Sequence, residues 1–168
     1  MSTEQRTSVF VALFLVWGTV LGRDLPDPTR TPGVANPDVT QDNIHETICV
    51  SGWTDTVRPP SSYTTNLKKA QIKEYRYRDK TPGSYEEDHL ISLQLGGHPT
   101  DPQNLWPERY DQRCGARIKD VVETRLKRLV CDGKLPLADA RKAIAKNWVA
   151  AYKTYVNREG CPALENEQ

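Results

Sequence analysis

The sequence predicts a single α+β domain held together by disulfides. Helical periodicity runs through the C-terminal third, short extended segments bounded by Gly and Pro occupy the middle, and four cysteines are scattered through the chain. Acidic and basic residues nearly balance, at 22 against 23. No global basic field therefore advertises nucleic acid, and such a partner would need a local patch.

Ser8 to Gly22 reads SVFVALFLVWGTVLG, apolar and uncharged. Its length suits a signal-peptide core and is short for a permanent membrane span. Residues 1–22 are expected to be a leader, cut between Gly22 and Arg23, although an uncleaved anchor or a buried N-terminal helix would share the pattern. Residues 23–43 are rich in proline and poor in apolar side chains, which predicts an extended lead-in lying on the surface or mobile. The domain proper is expected over 44–162, with 163–168 as a tail.

Ile48 to Trp53 suggests a short strand that ends at Arg58-Pro59-Pro60. Ser61 to Thr65 offers caps to a helix over about Asn66 to Tyr75, with Leu67, Ala70 and Ile72 turned inward. Tyr85 to Leu95 alternates as a strand would and is broken by Gly96-Gly97. Asn104 to Pro107 forms a second extended piece. In the next helix Ile118, Val122, Leu126 and Leu129 share a face, with Lys119 and Glu123 on others. The last helix, about Leu137 to Val156, buries Ala140, Ile144, Trp148 and Tyr152. Trp53, Trp106 and Trp148 lie in apolar local patterns and are expected in the core.

An exported chain with an even number of scattered cysteines is expected to carry two disulfides. Three connectivities are open. Cys49 with Cys131 and Cys114 with Cys161 is favoured, because the first ties the start of the fold to the end of a central helix and the second pins the tail.

The chemistry-bearing segment is Asp88-His89-Leu90-Ile91, then Gly96-Gly97, Asp101 and Asn104-Leu105, followed by a helix. It resembles the HNH nuclease family, the ββα-metal fold, whose common spelling is D-H-x-x-P-x-x-x-G-G followed by N-L. The resemblance spans roughly Tyr85 to Lys119. It implies a small ββα-metal core with extra flanking helices, and phosphodiester hydrolysis with one divalent ion, Mg2+ or Mn2+. By the same resemblance His89 would be the general base, Asp88 a metal ligand, and Asn104 the brace of the loop that orients the base or, as in some members, a group that reaches the metal.

Those residue types suit the reaction. Histidine can take a proton from water near neutrality, and a carboxylate suits a hard cation that neutralises the phosphate oxygens. Two positions depart from the family pattern. Ser92 stands where the proline usually is, and the last His or Asn of the metal site has no counterpart in RYDQRCGARIKDVVE. Asp120 or Glu123 from the helix, or Glu108 from the loop, could supply that ligand. Their ordinary alternative is a solvated carboxylate paired with Lys119, Lys127 or Arg117.

Arg58, Lys68, Lys69, Lys73, Arg76 and Arg78 form the densest basic run. Arg58, Lys68, Lys73 and Arg76, with Lys119, are the candidates for holding phosphates, unless they simply form a solvated face. His45 and His98 read as surface or loop residues, His98 close enough to the motif to touch substrate. The sequence thus points to a secreted or periplasmic, monomeric endonuclease with little sequence specificity and no permanent anchor, acting on DNA ahead of RNA. A noncatalytic exported binding module on the same scaffold is the alternative.

Overall fold

A computed structural model describes residues 25–162 of the chain. The expected leader, its cleavage point and the tail lie outside the described residues. The described part is an α+β fold, with a two-stranded antiparallel sheet, four helices and two disulfides. No helix among the described residues is long and apolar enough to cross a membrane.

Strand β1 (Tyr85–His89) pairs with β2 (Leu105–Arg109), with Asp88 opposite Trp106 and His89 opposite Leu105. A short helix α1 (Trp53–Val57) and helix α2 (Ser61–Glu74) precede the sheet, and α3 (Ala116–Cys131) and α4 (Leu137–Tyr155) follow it. The core gathers Val122, Leu126 and Val130 of α3 and Ala140, Ile144 and Trp148 of α4 around Ile48, Leu95 and Trp106.

Several local expectations are corrected. Ile48 to Trp53 is a run of turns rather than a strand. Cys49 N–H donates to the Ile44 carbonyl and Val50 N–H to that of Thr47. Ile44 and Ile48 are both buried, at helical rather than strand spacing. Helix α2 starts earlier than expected, at Ser61, and Ala70 is exposed where Gln71 and Ile72 are buried.

Strand β1 stops at His89, because Leu90, Ile91, Leu93 and Leu95 are all buried. A strand would send alternate residues to opposite faces, whereas this segment turns through a 3₁₀ turn at Leu93–Leu95 to plug the core. Gly97 makes that turn possible, since a β-carbon there would stand 1.7 Å from the Ile91 carbonyl oxygen. In α4 the backbone leaves helical geometry at Asn147, whose side chain accepts from Ala150 N–H at 2.8 Å and so restarts the helix.

The lead-in is also part of the packed fold from Leu25 onward. Ala35 bridges Gly97, Asn36 N–H donates to the Gly96 carbonyl, and Thr31 and Val39 are buried. Arg141 of α4 clamps this layer, donating to the carbonyls of Leu95, Gly96 and Val39. The pairing of the cysteines is Cys49–Cys131 and Cys114–Cys161, as favoured from sequence. Two disulfides and no free thiol suit an oxidising compartment such as the cell exterior.

Candidate functional site

His89 is the last residue of β1 and is buried, with 6% of its surface exposed. Its Nε2 lies 2.9 Å from the Pro99 carbonyl oxygen. A carbonyl can only accept, so in the neutral ring Nε2 carries the hydrogen and Nδ1 the lone pair. Burial is the largest influence on its pKa and holds it below the usual histidine value, although Asp88 and the Pro99 bond pull the other way. Burial thus favours the neutral ring, in which Nδ1 is the basic atom.

Asn104 determines where Pro99 sits. Fully buried between the 3₁₀ turn Pro102–Asn104 and β2, it accepts from Ile91 N–H and Val34 N–H, and donates to the carbonyls of Ile91 and His98. These bonds close the loop between the strands at both ends and hold the residue next to Pro99. His98 Nδ1 accepts from Thr100 N–H and Asp101 N–H, so this histidine shapes the loop tip from inside.

A cleft of about 340 Å³ opens beside β1, lined by Glu86, Glu87 and His89, by Arg58, and by Thr64 and Lys68 of α2. Lys68 Nζ donates to the Tyr85 carbonyl at 2.8 Å, which fixes its ammonium over the strand. Of the residues expected to hold phosphate, Arg58 and Lys68 thus reach the same cleft as His89. Lys73 lines a separate groove with Ile72 and Lys80, and Arg76 is exposed at the exit of α2 with a φ of 56°.

The side of the sheet facing α3 differs most from expectation. Lys119 is completely buried, and its Nζ donates to Asp88 Oδ2 at 2.7 Å, to the His89 carbonyl at 2.7 Å and to Glu123 Oε1. It is not available as a solvent-facing phosphate contact. The other oxygen of Asp88 accepts from His89 N–H at 2.8 Å. Burial is the largest influence and would raise the Asp88 pKa, but the Lys119 ammonium and its hydrogen bond, with help from Glu108 and His89, together outweigh it and leave the group below the ordinary carboxylate value. Glu123 is raised, because burial exceeds what the same ammonium returns. Glu108, expected in a loop, is a β2 residue fully buried beside Asp88, and burial raises it well above the ordinary value.

The helix carboxylate Glu123 and Asp88 do come together, but around an ammonium. Asp120 lies on the exposed side of α3, close enough to Asp88 that the aspartate's charge adds to burial in raising its pKa. A divalent ion between Asp88 and Glu123 would have to displace Lys119. Among the described residues, no three His, Cys, Asp or Glu side chains are grouped to hold a metal. As arranged, this donor set does not fit the expected ion.

Glu87 and the burial of Lys119 are the site features that sequence reasoning missed. A signal for Lys119 was present: positions 119, 122, 123, 126 and 130 lie on one helical stripe, all buried. Glu87 had one too, since it stands two residues before His89 on the same strand face. No family model, no curated protein and no solved structure matches the chain.

Proposed function

We propose that this protein is an exported endonuclease that cleaves nucleic-acid phosphodiesters with His89 as general base. The observation that carries the reading is the arrangement of His89: a neutral imidazole tethered through Nε2 to a loop carbonyl, in a cleft that also holds Arg58 and Lys68. A base of this kind contributes roughly 10²- to 10⁴-fold to the rate. Arg58 and Lys68 would engage nonbridging phosphate oxygens, contacts that carry little sequence information. Asn104 acts as a positioning residue, through the loop that fixes Pro99. The order of strand, braced loop, strand and helix is compatible with an HNH-like ββα core, which belongs to this proposal.

The alternative, a noncatalytic exported module, draws on one observation: the Lys119 ammonium fills the position where the resemblance implies a metal ion. The test is cleavage of plasmid, single-stranded DNA and RNA by the mature protein with Mg2+, Mn2+ or EDTA, beside His89→Ala. Cutting that disappears in the folded variant supports the enzyme. No cutting of any substrate under any condition supports the binding module.

A further inference from the structure

The nuclease reading leaves one group in the cleft without a task. Glu87 is buried, with 9% of its surface exposed, and neither carboxyl oxygen has a hydrogen-bond partner among the described residues. A buried polar group left unpaired costs stability, so it needs an explanation. It lines the same cleft as His89, Arg58 and Lys68. Two positions apart on one strand face, Glu87 and His89 are separated by about 6.6 Å along β1, wide enough to flank a phosphoryl group.

We propose that Glu87 is a second catalytic residue and that the substrate is RNA, cleaved by attack of its own 2′ hydroxyl. This rests on the nuclease reading and deepens it. His89 Nδ1 takes the 2′-hydroxyl proton, the 2′ oxygen bonds to phosphorus, the bond from phosphorus to the 5′ oxygen breaks, and Glu87 gives its proton to that oxygen. The products are a 2′,3′-cyclic phosphate and a 5′ hydroxyl. Proton exchange with water then restores neutral His89 and protonated Glu87.

The surroundings of Glu87 favour a carboxyl that carries a proton. Burial is the dominant influence and Asp88 adds to it, while Lys68 opposes them, and the pKa is pushed up to about 8. The tyrosines Tyr63 and Tyr75 feel its charge and bring no opposite charge of their own. RNA fits this pair because its nucleophile is already tethered beside the phosphate. Water attack on DNA must stabilise a departing 3′ oxygen, work that a metal ion commonly does. Here the cation between Asp88 and Glu123 is Lys119, buried away from the cleft.

The experiment uses a 5′-labelled oligoribonucleotide in EDTA, its 2′-O-methyl counterpart, and a 4-nitrophenyl ester of a ribonucleoside 3′-phosphate, whose leaving group needs no proton. Wild type, His89→Ala and Glu87→Gln are compared. The expected results are cyclic-phosphate ends, no cutting of the 2′-O-methyl strand, and loss of roughly 10²- to 10⁴-fold in kcat for Glu87→Gln on the oligomer. On the aryl ester the same variant should lose less than about tenfold, because the acid is no longer needed.

Equal losses on both substrates, or cutting of the 2′-O-methyl strand, would overturn the role of Glu87. His89-dependent cutting confined to DNA with added metal would overturn it too and leave the nuclease reading standing. Absence of any His89-dependent cutting would remove both. The fold of Glu87→Gln is checked by its melting temperature, expected to exceed wild type at pH 8, where the buried carboxyl is being forced to ionise, and to match it near pH 4.

Discussion

Replacing Lys119 with Met removes the only cation bonded to Asp88 and Glu123 among the described residues while roughly keeping the shape of the side chain. The Lys119 ammonium makes three bonds, to Asp88, Glu123 and the His89 carbonyl, with the lysine side chain wholly buried. Breaking a buried pair by deleting one partner costs about 3–5 kcal/mol, because the remaining charge is left uncompensated. At roughly 2–4 °C per kcal/mol for a domain of this size, the melting temperature should fall by about 6–20 °C. Calorimetric melts from pH 4 to pH 8 give the check.

The loss should depend on pH with a definite sign. In the wild type, Asp88 has a folded pKa below its unfolded one, so its contribution is present above about pH 4 and is lost as pH falls through the folded value. Without the ammonium, the main influence opposing burial is gone and the Asp88 pKa rises. The variant should therefore approach wild type toward pH 4 and diverge above it. The triple change Lys119→Met, Asp88→Asn, Glu123→Gln should recover much of the loss, since no charge is then stranded. A deficit constant across pH, or a triple variant no better than the single one, would refute the ion-pair account.

Opening either disulfide should lower unfolding free energy by about 4 kcal/mol, worked from loops of 82 and 47 residues in the chain-entropy model. Urea titration of the Cys49→Ser/Cys131→Ser and Cys114→Ser/Cys161→Ser pairs measures each, and unchanged midpoints would contradict the cross-links. Asn104→Ala leaves backbone groups of Ile91, Val34 and His98 without their partner, at about 1–3 kcal/mol each if they stay dry. It should unfold several kcal/mol more easily, and any activity should fall with the loosening of Pro99. Because burial holds His89 below the usual histidine value, the acid-side loss of activity should set in only below about pH 6.5. A pH–rate profile whose acid limb lies above pH 7 would argue against His89 as the base.

Local sequence carried much of this fold. The spacing of Ala140, Ile144, Trp148 and Tyr152 marks the buried line of α4, and all four are buried. The Gly-Gly step and Asn104 mark a braced loop, because a backbone approach as close as Gly97 to Ile91 tolerates no side chain. The cysteine pairing was an inference about which ends must meet, and the fold brings those ends together. Apolar runs were harder to read: Leu90 to Leu95 looks like a strand and is a core plug, since hydrophobicity says that a segment is buried and not what shape it takes.

Charged residues show the same division more sharply. Lys119 and Glu123 look like an ordinary surface pair at helical spacing, and Glu87 like one more acid in an acidic strand. Whether such groups meet water depends on which helix packs over them, a decision made by contacts between residues distant in the chain. The sequence by itself determined three of the four helices, the α+β class, the cysteine set and the place of His89 at a strand end. Only the tertiary structure decided that an ammonium sits between Asp88 and Glu123, that Arg58 and Lys68 meet His89 in one cleft, and that Glu87 stands there without a partner. Desolvation and the positions of neighbouring charges govern those outcomes, and both arise only when the elements pack.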